Sequence, residues 1–334
     1  MTAPRLAVVT GGAGFIGSHM VDVLLDEGFR VHVIDSLIGG RLENLAHRKG
    51  ESRLAVEVRD IRELPADDAL FAGADYVFHF AGIGDIVPSI DKPVDYLSTN
   101  VMGTVKVLEA ARHAKVKKLV YAASSSCYGL AEVPTREDAP ISTEYPYALS
   151  KYMGEEAVLH WGKVYGLPVN SIRIFNAYGT RSKTSGAYGA VFGVFLAQKL
   201  AGKPFTVVGD GTQRRDFLFV TDVARAFYAA AITERVNEIY NLGAGNPQPV
   251  NKLVELLGGP VIHLPVRPGE PECTWADITK ITTQLGWKQR VPFEDGVAQM
   301  LKVIDYWREA PVWDPASIKE ATKNWFAFLE GRNA

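Results

Sequence analysis

One tyrosine–lysine spacing stands out as chemistry. Of the 13 tyrosines, only Tyr147 is followed four residues later by a lysine, in Tyr147-Ala148-Leu149-Ser150-Lys151. On a helix the two share a face. A phenol works as a base near neutral pH only as phenolate, so its reference pKa of about 10 must fall by about three units, roughly 4 kcal/mol. A positive charge about 5 Å away, at an effective dielectric near 20, is worth roughly 3 kcal/mol. Lys151 with one further positive charge would therefore suffice. Ser124-Ser125-Ser126-Cys127-Tyr128-Gly129 follows the apolar run 119–122. That puts hydroxyls at the carboxyl end of a strand, where open α/β sheets bind ligands.

A glycine constellation near the start supplies a partner for this chemistry. Thr10-Gly11-Gly12-Ala13-Gly14-Phe15-Ile16-Gly17 satisfies both G-x-G-x-x-G and G-x-x-G-x-x-G. It sits between an apolar run and a helical pattern, where glycines let backbone N–H groups approach a pyrophosphate at a helix N-terminus. The next apolar run, 31–34, ends in Asp35. A carboxylate there accepts both hydroxyls of an adenosine ribose and repels a 2′-phosphate. Ser36, not arginine, follows it, so NAD is the expected cofactor.

The elements around these residues follow from hydrophobic periodicity. Runs 6–9, 31–34, 55–58, 76–80, 119–122 and 168–174 are predominantly apolar, as in parallel strands covered on both faces. Helical patterns at 16–26, 101–113 and 147–165 separate several of them. The repeated strand–helix rhythm predicts a doubly wound α/β sheet. Beyond about residue 177 the rhythm loosens, with a polar loop at 181–189 and helical patterns at 191–200, 222–232, 250–256, 293–307 and 318–329. The expected division is a nucleotide-binding domain over 1–177 and a smaller mixed α/β lobe over 178–334, with segments interleaved and a cleft between.

Composition narrows the function. The 36 basic and 38 acidic residues give a net charge of −2, which argues against a strongly basic nucleic-acid binder. No apolar run approaches the ~18 residues of a membrane span, and 6–9 is too short for a signal-peptide core. Two cysteines, Cys127 and Cys273, cannot build a disulfide framework or a four-ligand zinc site. A reducing cytoplasm is the expected location, and no metal is expected.

Taken in order, these motifs resemble the extended short-chain dehydrogenase/reductase family and, within it, the nucleotide-sugar epimerases and dehydratases. The landmarks are 10–17, Asp35, Asp60-Ile61, His79-Phe80-Ala81-Gly82, Asn100, 124–129, Tyr147/Lys151, Arg173-Ile174-Phe175-Asn176, 209–217 and Arg267-Pro268-Gly269-Glu270. The resemblance implies a Rossmann domain that holds NAD through Gly11, Gly14, Phe15, Ile16, Gly17, Asp35, Ser36, Asp60, Ile61, Ala81, Asn100, Tyr147 and Lys151. It implies Ser124, Tyr147 and Lys151 as the catalytic set. A nucleotide sugar would be held by Ser125, Ser126, Asn176, Val191, Arg215, Arg267, Glu270 and Thr274. The guanidinium fork suits a diphosphate because it is bidentate and always charged.

The reaction type turns on positions 125 and 126. Dehydratases of the family carry Asp-Glu there, and sugar-acid decarboxylases keep a glutamate at the second position. Here both are serine, as in 4-epimerases. The stretch 186–191 also resembles 4-epimerases of N-acetylated UDP-sugars, and small Thr274 leaves room for such a group. The resemblance therefore implies 4-epimerisation of a UDP-sugar through a 4-keto intermediate. A 4-keto reductase, a dehydratase or a cofactor-binding regulator without turnover would share the fingerprint, although intact Ser124, Tyr147 and Lys151 favour catalysis. The family's usual dimer implies a four-helix contact through helices 101–113 and 147–165, with Val101, Val105, Leu108, Tyr152, Ala157 and Leu159 as its apolar residues.

Overall fold

Strands without polar alternation must be covered on both faces, and the chain achieves this with helices on each side of a parallel sheet. The computed structural model describes residues 4–182 and 190–329. Strands β1 (Leu6–Thr10), β2 (Arg30–Asp35), β3 (Leu54–Val58), β4 (Tyr76–His79), β5 (Lys118–Ser124) and β6 (Val169–Ile174) are joined by a seventh strand, Glu238–Leu242. Their order is Glu238–Leu242, β6, β5, β4, β1, β2, β3, and every pairing is parallel. The winding reverses between β1 and β4, so the crevice above their carboxyl ends is the topological switch point.

The main helices are α1 (Phe15–Asp26), α2 (Pro93–Leu97), α3 (Thr104–His113), α4 (Pro146–Tyr165), α5 (Val191–Leu200) and α6 (Val220–Ile232). Helices α1 and α6 bury Met20, Leu24, Val223 and Phe227 in the core on one face of the sheet. Helices α3 and α4 bury Val107, Leu108 and Val158 in the core on the other. A third core, rich in aromatic residues, fills the second lobe, where Tyr178 stacks on Phe192 and Phe217 on Phe293.

The fold departs from the periodicity in three places. Glu238–Leu242 was hidden because its polar Asn241 is fully buried. That side chain accepts from the Tyr128 hydroxyl at 2.7 Å and donates to the Thr135 carbonyl at 2.9 Å. The pattern at 101–113 is helical, but Ser98–Gly103 forms a π turn before α3 begins. The patterns at 293–307 and 318–329 are each broken, into Phe293–Lys302 with a short turn Ile304–Trp307, and into Pro315–Ala321 with Lys323–Leu329. Helix α6 packs in the same core as α1, and the strand Glu238–Leu242 pairs with β6, although both follow residue 177. Of the loop expected at 181–189, residues 183–189 lie outside the described residues, as does most of the stretch 186–191.

Candidate active site

A cavity of about 510 Å³ opens along the switch-point crevice. That size suits a small molecule or cofactor. Gly11, Gly14 and Gly17 form one wall at the head of α1. Gly11 adopts φ +72°, and a Cβ there would lie 2.7 Å from the Ala81 nitrogen. A Cβ at Gly17 would collide with the Gly11 carbonyl oxygen. Helix α1 starts at Gly14 with no side-chain cap and no acidic residue in its first turn. Its leading N–H groups therefore face the crevice with the positive end of the helix dipole, an arrangement suited to a pyrophosphate.

Asp35 lies at the end of β2 and is 6% exposed. Its carboxylate accepts from the Ala13 and Leu37 N–H groups, both at 2.9 Å. Burial raises its pKa, opposed by N–H groups of Leu37, Ala13 and Gly14. Asp60 caps a short turn and pairs with Arg62 at 2.6 Å, which holds its carboxyl below the usual carboxylate range. Under the glycine turn lies a hydroxyl–imidazole chain. Thr10 Oγ1 is 2.6 Å from His79 Nδ1, and His79 Nε2 is 2.9 Å from Thr104 Oγ1. Burial lowers the His79 pKa to about 3, so the ring is neutral and structural.

Of the residues expected around the cofactor, all but Asn100 line this cavity. Asn100 lies behind it in the π turn and is 1% exposed. It accepts from the Ile83 N–H at 2.8 Å and donates to the Ile83 carbonyl at 3.1 Å and to Ser150 Oγ at 2.9 Å. Its side chain thus ties the loop after β4 to α4. π turns often mark functional sites, and here the turn aims a buried amide at two cavity walls.

Ser124, Tyr147 and Lys151 share the cavity floor. Pro146 occupies the first turn of α4, where its fixed φ suits helix initiation. The Tyr147 phenol lies beside the Ser124 hydroxyl, close enough for that hydroxyl to favour the phenolate. Ser124 Oγ donates to Ser126 Oγ at 3.0 Å, and the Tyr145 phenol lies beside Ser126. The electrostatics differ from the sequence expectation. Burial raises the Tyr147 pKa, opposed by the Ser124 hydroxyl and assisted by Asp85 and Cys127. Burial also lowers the Lys151 pKa to about 7, opposed by Glu155. The Lys151 ammonium sits over the Tyr121 ring, 4.4 Å from its centroid. In a dry site, desolvation outweighs the point-charge attraction expected between Lys151 and the phenol. Cys127 is inert: burial pushes its thiol up to about 12.

None of the residues expected at the nucleotide sugar is among those that line the cavity. Arg215 pairs with Glu270 at 2.8 Å and Arg267 with the same carboxylate at 3.3 Å. Thr274 Oγ1 donates to Asn176 Oδ1 at 2.5 Å and accepts from the Asp216 N–H at 3.3 Å. Asn176 adjoins the cavity through its neighbours Phe175 and Ala177, and Val191 through Ala190 and Phe192. Ser125 and Ser126 lie in the turn after Ser124. Sequence reasoning missed Asp85, Tyr178 and Trp313, which line the cavity. Asp85 had a detectable signal, a carboxylate just beyond the carboxyl end of β4. Trp313 had none, since only the tertiary fold brings it there.

Fold and site together define an NAD-dependent enzyme built on a Rossmann sheet. Residues 7–243 match the family model described as the NAD dependent epimerase/dehydratase family. The chain belongs to that family and is an NAD-dependent epimerase. It is 35% identical over 305 residues to a putative UDP-glucose 4-epimerase of Methanocaldococcus jannaschii, covering 89% of this chain and 97% of that protein. It is similar in structure to a UDP-N-acetylglucosamine 4-epimerase from Methanobrevibacter ruminantium in complex with UDP-N-acetylmuramic acid, with TM-score 0.85, 30% identity and coverage of 91% and 98%. A UDP-glucuronic acid 4-epimerase from Bacillus cereus, in complex with UDP-glucuronic acid and NAD, superposes with TM-score 0.84, 31% identity and coverage of 90% and 99%.

Two predictions follow from the floor of the site. Tyr147→Phe removes the hydroxyl that meets Ser124. It should lower kcat by about 10²–10⁴-fold while bound NAD and UDP affinity stay at wild-type levels, and turnover near wild type would remove Tyr147 from the chemistry. From about pH 7 to the ordinary lysine range, the unfolded chain holds a proton on Lys151 that the folded chain lacks. Stability relative to Lys151→Met should therefore rise with pH in that window, by at most about 1.4 kcal/mol per unit. Urea midpoints at pH 7 and pH 9 measure this, and a pH-independent difference would mean that Lys151 stays charged.

Proposed function

We propose that the protein interconverts UDP-hexoses that differ in configuration at C4, accepting an N-acetylated sugar alongside the plain one. The observation that carries this reading is the Tyr147–Ser124 contact on the cavity floor, with serines and no carboxylic acid at positions 125 and 126. Ser124 orients the sugar 4-hydroxyl, and Tyr147 as phenolate takes its proton. Bound NAD would supply the hydride acceptor and donor for C4 and a positive charge that favours the phenolate. Arg215 and Arg267, preset by Glu270, hold the diphosphate while the 4-keto ring turns to present its other face. Tyr147 then returns the proton to the new 4-hydroxyl.

Loss of water from the sugar is the second reading, supported by one observation, the carboxylate of Asp85 on the cavity wall. Incubation with a panel of UDP-, dTDP-, GDP- and CDP-sugars, followed by NMR, separates the two. Epimer pairs of UDP-sugars are expected; a 4-keto-6-deoxy product would establish dehydration instead. Thr274→Tyr should suppress turnover of N-acetylated sugars more than that of UDP-glucose, through steric exclusion. If the wild type epimerises no N-acetylated sugar, or the variant loses nothing, Thr274 does not face the sugar.

We also propose a homodimer built on α4 and the π turn. Of the apolar residues expected in that contact, Leu108 is fully buried in the monomer core, but Met102, Leu149 and Met153 on the same elements are 57%, 40% and 41% exposed. Covering such side chains is a natural role for a twofold helix contact. Light scattering at micromolar concentration should give twice the chain mass, and Met153→Glu should shift it toward the monomer. A wild-type monomer mass would contradict the assignment.

A further inference from the structure

We infer that Trp325, on the C-terminal helix Lys323–Leu329, is a positioning residue that locks three separate segments of the active site to one another. The inference rests on the proposed reaction for its kinetic consequences but not for its structural ones. Trp325 is 5% exposed and is buried with Val87 and Leu329 in a small satellite core, against which Ile90 and Tyr145 pack. Apart from Leu329 on the same helix, these neighbours come from two parts of the site, and the indole N–H reaches a third.

Tyr145 is the residue just before α4, two positions ahead of Tyr147. Its ring lies 5.0 Å from that of Trp325, tilted by 52°. Its phenol lies beside the Ser126 hydroxyl, which accepts from Ser124 Oγ, itself beside Tyr147. The indole therefore buttresses the far end of the hydroxyl chain that serves the reacting oxygen. Val87 and Ile90 continue the loop whose residues Ile83, Gly84 and Asp85 line the cavity. The neighbouring Asn324 fastens the same loop by donating to Asp91 Oδ1 at 2.7 Å. Trp325 Nε1–H donates to the Pro268 carbonyl at 3.1 Å. Pro268 lies between Arg267 and Glu270, whose carboxylate also holds Arg215.

Proton chain, cavity loop and arginine cluster thus meet on one side chain distant in sequence from all three. A single apolar residue would fill the satellite core. The indole adds a directed N–H that reaches the arginine-bearing loop. The device separates two effects. The N–H bond fixes the loop bearing Arg267, hence substrate binding, whereas the ring fixes Tyr145, hence the hydroxyl chain.

Trp325→Phe and Trp325→Ala, in the full chain with NAD bound, test this by hydrogen exchange and steady-state kinetics. Trp325→Phe deletes the bond to Pro268 while keeping an aromatic ring against Tyr145. It should speed exchange in 266–271 and raise KM for the UDP-sugar by about fivefold, as expected for one lost neutral hydrogen bond, with kcat unchanged. Trp325→Ala should also speed exchange in 83–91 and 143–147. It should lower kcat by about 10–100-fold through misplacement of Tyr147 and displace the acidic limb of the pH–rate profile, with NAD content and exchange in β1–β6 unchanged. Unaltered exchange in the three segments, or equal acceleration across the whole chain, would overturn the inference. A wild type without epimerase activity would refute the proposed reaction, and the exchange pattern alone would then decide the role of Trp325.

Discussion

The close approach of α4 to β5 and the π turn is the constraint on which the site depends. It is possible because residue 154 is glycine: a Cβ there would collide with the Tyr121 hydroxyl and lie 2.8 Å from the Asn100 carbonyl oxygen. This contact presses Lys151 against the Tyr121 ring and brings Tyr147 to Ser124. Asn100 then ties the same helix, through Ser150, to the loop after β4. A wider spacing would admit water, raise the effective dielectric and return Lys151 and Tyr147 to ordinary titration.

Beneath the Ser124 turn, a buried ion pair keeps the strand ends in register. Arg173 on β6 pairs with Glu155 on α4 at 2.6 Å, with side chains 4% and 1% exposed. Ser171 Oγ donates to the same carboxylate at 2.7 Å. Arg173 also donates to the Tyr128 hydroxyl at 2.7 Å, which in turn donates to Asn241 on the seventh strand. A buried pair is weak evidence for net stability, but its directed bonds connect α4, β6, the serine turn and the strand Glu238–Leu242. Orientation of the serine turn is the physical return on desolvating those charges.

What was legible in the sequence followed local rules. The glycine turn, Asp35 and the four-residue step from Tyr147 to Lys151 are set by backbone sterics and helix periodicity, and the fold places them on one cavity. The serine cluster was legible because it directly follows an apolar strand. Long-range relations were not. Asn100 was expected against the cofactor; it lies in the π turn, with its side chain bonded to Ile83 and Ser150. The effect of Lys151 on Tyr147 was estimated for a half-solvated pair, whereas burial dominates both groups. Asn241 disguised a strand because its polarity serves a buried network. Arg267 and Glu270 pair across three residues, but the pairing of Arg215 with the same Glu270 joins segments 55 residues apart, beyond the reach of any local spacing.

The central claim is that Tyr147 moves only the hydroxyl proton while the C4 hydrogen leaves and returns within one active site. Turnover of a UDP-hexose in D₂O, followed by NMR at C4, tests it most directly. The account predicts a 4-epimer that keeps its original hydrogen at C4, with no net accumulation of NADH. Deuterium at C4 of the product, or net oxidation or reduction of the cofactor with each turnover, would contradict it.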